Sequence, residues 1–400
     1  MKTQRTTGLA GLLLAGPVLA FAGTPEGTVE FSAAEGTKLV KIVTWTQELN
    51  LDEMGGTRAG SDLIRENVGG WLSSSMTKTF IDEYVKVGEG RPQVVRRLIR
   101  NAAGHGRVNL SGSVGRVEKR ILFKSPMEGT KLLLTWIDDE GEYARLYDEF
   151  EAPERMLKDV TGDVDLLALL PSGEVAPGDS WEIEVSKMRD VLAPSGDIGL
   201  APEDEGVFPR MMEVGTGGDL ADVLGNRLTG SATATYSGER EVDGRQLAVI
   251  ELKVDLESKR DRTGTYRQRM PREERQEASN LKHVTVTYGL VGTGELLWDL
   301  EAGHFDNFDL GGRETVQARV VKEMSEAGEV YETTQVITFS GELKLEYQQR
   351  EMRRDEDSEA AAKKRAEKKA AEQAAEKDAA KGDKKRAKRK AAKEKADGGD

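Results

Sequence analysis

Cysteine is missing from all 400 residues. Disulfides, a thiol nucleophile, a zinc ribbon, an iron–sulfur cluster and covalently attached c-type haem are therefore excluded. The fold must rest on its own core. Histidine is scarce, and His105, His283 and His304 show neither HxH nor HExxH spacing, so no metal site is assigned. Long apolar runs are lacking too. The most apolar stretch, Gly8 to Ala22, falls short of the roughly 18 residues that a membrane-crossing helix needs.

The chain begins with MKTQRTTGLAGLLLAGPVLAFAG. Lys2 and Arg5 supply a basic start, and Ala20-Phe21-Ala22 is a small-x-small cleavage site. Residues 1–22 read as a secretory signal peptide. With no cysteine to carry a lipid, a lipoprotein anchor is not expected. The mature chain is expected to be exported, to the periplasm, the envelope or the medium, without a transmembrane segment.

Charge divides the rest. The chain carries −13, of which residues 350–400 carry +5 and the signal +2, leaving −20 for the body at 23–349. An acidic body favours solubility and argues against specific nucleic-acid binding. The tail at 350–400 is built from Ala, Lys, Arg and Glu without an apolar stripe. It reads as a fluctuating helix or a disordered arm. Its basic cluster comprises Lys381, Lys384, Lys385, Arg386, Lys388, Arg389, Lys390, Lys393 and Lys395. These are the residues that would hold an anionic envelope polymer or membrane surface, without specificity and with strong salt dependence.

The body reads as all-β: an antiparallel meander forming a curved sheet, a sandwich or a half-barrel, with few short helices. KLVKIVTWTQEL (38–49) is rich in β-branched and aromatic residues. TFIDEYVKV (79–87) alternates, which predicts Thr79, Ile81, Val85 and Val87 on one face. Hairpins are expected around Asp138 to Gly141, around Ser325 to Gly328 and, with the strongest signal, at Asp243-Gly244. Val316, Ala318 and Val320 share a face. PQVVRRLIRNAAG (92–104) fits a helical stripe or a strand, and we read it as strand. Short helices are predicted after Ser61, carrying Leu63, Val68, Trp71 and Leu72, and in APERMLKDV and GDLADVLGN. Residues 190–224 read as a long loop or a seam, which leaves open a division into halves at 27–190 and 225–349. Residues 258–280 read as a charged, solvated excursion.

Gly178-Asp179-Ser180 matches the opening of the GDSL-type esterase signature. A serine esterase needs a base, usually oriented by a carboxylate. In that family an Asp precedes the His by three residues, whereas Ala102, Asn280 and Glu301 stand there in this chain. The residues after Ser180 alternate like a strand. The triplet therefore reads as a turn, with Trp181 opening a strand. Asp306, Asn307 and Asp309 beside His304 lack the spacing of a calcium loop. Asp163 and Asp165 in GDVDLLALL read as a cap before an apolar segment. The five tryptophans, at 45, 71, 136, 181 and 298, read as core. No catalytic residue, cofactor or metal is assigned, and the sequence discloses neither a ligand site nor an oligomeric state.

Three segments, IDEYVKVGEGRPQVVRRLI, LPSGEVAPGDSWEIEV and GTGELLWDLEAGHFDNFDLGG, together resemble secreted bacterial β-rich domains of unknown function. That resemblance implies an envelope-located β fold with no assigned chemistry. The expectation is an exported, non-enzymatic envelope or periplasmic protein with an interaction or structural role and a basic tail as tether. Two alternatives stand beside it: a periplasmic carrier holding a lipid or other apolar ligand in its curved sheet, and a hydrolase using a carboxylate pair.

Overall fold

The computed structural model describes residues 28–62, 69–112, 115–149, 153–202, 220–225, 228–269, 280–326 and 328–353. The first long strand of the chain is paired with the last. β1 (Lys38–Arg58) and β14 (Glu329–Glu351) run antiparallel from Leu39 opposite Glu351 to Arg58 opposite Thr333. On one side of this pair lie β13 (His304–Glu326), β12 (Leu281–Asp299), β11 (Arg245–Asp261), β10 (Thr229–Val242) and β8 (Ser180–Glu182). On the other lie β3 (Gly69–Gly88), β4 (Arg91–Gly112), β6 (Lys131–Ile137) and β7 (Glu142–Tyr147). Three elements branch from this path: β2 (Ser61–Asp62) on β1, β5 (Gly115–Lys124) on β4, and β9 (Ala201–Pro202) on β5. The sheet has 14 strands and two unlike ends, so it is curved but not closed. The expected all-β, antiparallel meander is what the chain forms.

The hairpins arise from backbone chemistry. Asp243 and Gly244 have φ of 53° and 78°, the paired positive values that a two-residue type I′ turn requires. Gly141 and Gly328 also sit at positive φ in their tips. Strand length is greater than any sequence window suggests. β13 and β14 have 23 residues each, roughly 75 Å at the ordinary strand rise. Val316, Ala318 and Val320 are buried together, as their alternation predicts, and PQVVRRLIRNAAG is strand, inside β4.

One glycine pair limits what the inner face can hold. Gly292 and Gly312 are opposite each other in β12 and β13. A Cβ at Gly312 would stand 2.5 Å from the Val291 carbonyl oxygen and 2.7 Å from the Gly292 Cα. Gly312→Ala is expected to cost about 1–3 kcal/mol, as overpacking does, and to lower the urea midpoint. An unchanged midpoint would show slack in this ladder.

The concave face is filled by the chain itself. Residues 28–33 cover one part, and residues 153–202 and 220–225 another. The covering chain contains short 3-10 turns, α1 (Met188–Leu192) and α2 (Leu220–Leu224). Val160, Val164, Leu169, Val191, Leu192, Ile198 and Leu224 pack into one core with Phe80, Leu134, Tyr288, Trp298 and Tyr347. α3 (Thr263–Arg269) lies against β12, where Tyr266 packs on Leu281, Val284 and Val320.

Several expectations are corrected. Ser61 begins β2, and Trp71 and Leu72 belong to β3, so the two ends of the expected helix are strand; Leu63 and Val68 lie outside the described residues. In β3 the inward face carries Leu72, Ser74, Met76, Phe80, Asp82 and Tyr84, while Val85 is 42% exposed. APERMLKDV yields only a 3-10 turn at Glu154–Met156. Of the 258–280 excursion, Ser258 to Asp261 extend β11, and Ser258 and Arg262 are buried. Trp45 and Trp298 are core, whereas Trp71 is 38% exposed.

Candidate functional site

Irregular backbone buried against a sheet needs hydrogen-bond partners, since its own carbonyls make no ladder. Here the sheet supplies side chains. Lys78 Nζ donates to the carbonyls of Pro194 (3.0 Å) and Gly196 (3.4 Å). Tyr347 donates to Val191 O at 2.6 Å, and Ser125 donates to Ile198 O. Ser258 Oγ lies 2.9 Å from Val223 O and 3.1 Å from Leu224 O. Each hook is a polar residue at an inward strand position or strand end.

The strongest hook is a charged cluster sealed inside the core. Lys41 of β1 donates to Asp82 Oδ2 (2.8 Å) and to Asp165 Oδ1 (2.6 Å). Arg97 of β4 makes a two-pronged contact with Asp82 of β3, 2.8 Å to each oxygen, and also donates to Gly162 O at 2.9 Å. Tyr84 donates to Asp165. Lys41, Asp82, Arg97 and Tyr84 have no exposed surface, and Asp165 has 2%. Lys41, Arg97, Asp82 and Tyr84 come from three sheet strands, while Asp165 and Gly162 come from the covering chain. The cluster is therefore a rivet between the two.

Electrostatics match that geometry. Burial alone would raise the Asp82 pKa, but the charges and hydrogen bonds of Arg97 and Lys41 hold it down at about 2. Asp163 is pushed up to about 7, first by burial and then by its neighbour Asp165. Below neutral pH Asp163, at the edge of the rivet, is thus largely protonated. The cap reading of these aspartates is corrected here. Asp163 accepts the backbone N–H of Asp165 at 2.7 Å, but Asp165 aims into the core, and the 3-10 turn after it has no side-chain cap.

A second buried polar group lies further along the inner face. Gln47 Nε2 donates to Glu314 Oε2 at 2.6 Å, and Ser74 donates to Gln47 Oε1 at 3.1 Å. Burial raises Glu314 to about 8, against the hydrogen bond from Gln47 and the stabilising influence of the nearby Tyr288 hydroxyl.

The residues singled out in the sequence fall elsewhere. Ser180 is exposed at the start of β8, with its Oγ 2.8 Å from Thr235 Oγ1. Gly178 has a φ of 99°, and Asp179 N–H bonds Ala176 O at 3.0 Å, so Gly-Asp-Ser forms a turn. Trp181 is partly buried against the core. His304 opens β13, its Nδ1 2.8 Å from Gln349 Nε2, and no metal-binding group of side chains occurs among the described residues. The nine basic tail residues, Lys381 to Lys395, lie outside the described residues. Sequence reasoning missed the rivet because Lys41, Asp82 and Arg97 look like solvent-facing charges in their strands.

No family model matches the chain, and no curated protein matches it. Among solved structures it is similar to the InvG secretin-domain β-barrel of the Salmonella SPI-1 injectisome. The identity is 8% over 82% of this chain and 69% of that one, with a TM-score of 0.17. A fit that loose carries no argument from one protein to the other. No helix among the described residues is long and apolar enough to cross a membrane.

Proposed function

We propose that the chain is a non-enzymatic, exported protein of the envelope or periplasm, with a rigid β body and a basic tail that tethers it to an anionic surface. The observation that carries this reading is the occupied concave face. The covering chain is riveted through Asp165 to Lys41 and Tyr84. The apolar gap left between Trp45, Met76, Leu192, Leu200 and Leu345 holds only about 30 Å³. Small-molecule pockets run to about 300–1,000 Å³. A larger cavity of about 600 Å³ between β7, the covering chain and the end of β11 is lined mostly by charged side chains, so neither space suits an apolar ligand, which counts against the carrier reading. In the carboxylate cluster of the core, Asp82 and Asp165 are sealed between the sheet and the covering chain, which counts against a hydrolase built on them.

The tether is tested by removing 354–400. The truncated chain ends after the backbone bond of Met352 to Lys38, so the sheet is left intact. Vesicles containing phosphatidylglycerol are expected to retain the full chain at low salt and release it above about 0.3 M, where the screening length is between about 3 and 8 Å. The truncated chain is expected to pass through. Equal retention of both would sink the tether. A lipid that co-purifies with the full chain in native mass spectrometry would revive the carrier.

A further inference from the structure

Independently of the tail and of the filled concave face, positive charge is gathered on one hairpin of this acidic body. Residues 91–124, which contain β4 and β5, hold nine Lys or Arg and one Glu, a net +8, while the body carries −20. Five of the nine are engaged. Arg97 belongs to the rivet. Arg96 meets Asp148 at 2.7 Å and Glu83 at 3.2 Å, Arg91 lies over the Trp136 ring, Arg116 meets Glu118 at 3.3 Å, and Lys119 is engaged as well. The other four, Arg100, Arg107, Arg120 and Lys124, are exposed, and their side chains make no hydrogen bond or ion pair among the described residues.

Arg107 and Arg120 stand directly opposite each other in the β4–β5 ladder. Like charges so placed destabilise a sheet. The buried Ile121 and Phe123 alternate with Arg120, Leu122 and Lys124, which share the outward face, and Leu122 is 59% exposed there. The same strand is an edge. β4 pairs it from Gly115 to Lys124, whereas β9 meets its other side only at Phe123 and Lys124. From Arg116 to Leu122 that side has no strand beside it among the described residues, which leaves a template for another chain. Edge strands often carry Lys or Arg that keep other strands away. That device accounts for Arg116 and Arg120 but not for Arg107, which lies on β4 between β3 and β5.

We propose that the outer edge of β5 is a docking site for an acidic, extended peptide of a partner protein, which adds a strand beside Arg116–Leu122 and sets its carboxylates against Arg107, Arg120 and Lys124. The backbone edge supplies hydrogen bonds to any strand, and the free cations select an acidic one. An added strand lies about 4.8 Å from β5, so its outward carboxylates meet Arg120 and Lys124 directly and Arg107 one strand further in. A second copy joined at its own β5 is disfavoured, because Arg116 and Arg120 would face their own kind.

The test titrates a fluorescent peptide of alternating Glu and Val against the full chain, by anisotropy at low salt. A second peptide of the same charge carries prolines in place of some valines, which prevents strand pairing. Arg107→Gln, Arg120→Gln and the double variant are compared with Arg240→Gln, which removes an exposed arginine paired with Glu295. Thermal melts are expected to show no loss of stability on changing Arg107 or Arg120, since neither holds a partner. Saturable binding of the alternating peptide is expected, weakened about tenfold in the double variant as two exposed charge pairs are lost, and unchanged in Arg240→Gln. The proline peptide is expected to bind at least about tenfold more weakly, having lost its ladder. Should the double variant melt early, the single variants decide, each weakening binding about threefold. Equal affinity for both peptides would mean charge alone and would overturn strand addition. Binding unchanged in the double variant would belong to the basic tail and would overturn the site, as would the absence of saturable binding. Binding that appears only after Glu203, Asp204 and Glu205, which lie outside the described residues, are changed to Gln would assign the edge to the chain's own acidic run and overturn the partner. Retention of the chain lacking 354–400 on phosphatidylglycerol vesicles, lost in the double variant, would assign the cations to a lipid surface and overturn it likewise.

Discussion

Lys41→Met is expected to destabilise the protein by about 3–5 kcal/mol, the range for removing one partner of a buried ion pair. Against a total stability of about 5–15 kcal/mol, that is a large share. Asp82 keeps the two-pronged contact with Arg97, so the charge left exposed to the low-dielectric interior is Asp165. Tyr84 still donates to it and Arg97 still attracts it through space, but no cation is left in hydrogen-bond contact with it. The cost is therefore expected to be conditional. In Lys41→Met/Asp165→Asn the lone charge is gone and Tyr84 still has an acceptor. The double variant is expected to recover at least half of the loss. Denaturant midpoints of the wild type, both single variants and the double variant close the cycle. If the double variant is as unstable as the sum of the singles, the two residues are not coupled and the rivet is not electrostatic. Limited proteolysis gives a second readout, since release of Asp165 should speed cleavage in 153–202 before the sheet melts.

The same cluster explains what the sequence disclosed and what it concealed. Turns were readable because their chemistry is local: Asp243-Gly244 announces positive φ at two successive positions, and the chain obeys. Alternation was readable in β13, where Val316, Ala318 and Val320 face inward and Gln317 and Arg319 face out. In β3 the same rule misleads. Ser74, Lys78 and Asp82 occupy inward positions because they hold Gln47, the carbonyls of the covering chain, and Arg97 with Lys41. Hydropathy assigns such residues to water, so the predicted face turns over. The covering chain was hidden for a related reason. Its buried residues, such as Val160, Val164, Leu169 and Ile198, keep neither a 2-residue nor a 3.6-residue period. Their order is set by the shape of the concavity and by carbonyls waiting for hooks on distant strands, which a local window does not contain.

Glu314→Gln is expected to change the pH dependence of stability, with the largest effect above pH 8. Burial raises the folded pKa of Glu314 from 4.5 to about 8. Below pH 4.5 both folded and unfolded chains hold the proton, and its contribution to stability is fully present. Between about 4.5 and 8 the unfolded chain gives the proton up while the folded chain keeps it. The folded state then binds more protons, so stability falls as pH rises, and the fall levels off near 8. By the usual conversion of pKa shift to free energy, the loss is on the order of 3–5 kcal/mol. Asp163, raised from 3.8 to about 7, adds a slope of the same sign over a lower window. Lys78 acts outside this range: burial lowers it from 10.5 to about 8, against the pull of Asp197. Stability lost through its burial is regained only as pH rises from 8 towards 10.5. Glutamine at 314 keeps an oxygen for Gln47 and has no proton to lose. Wild type and Glu314→Gln should therefore have similar denaturant midpoints at pH 5 and diverge steadily, with the variant the more stable by several kcal/mol at pH 8.5. Parallel profiles would mean that Glu314 ionises freely in the folded chain, which its place between Gln47, Tyr288 and the core does not allow.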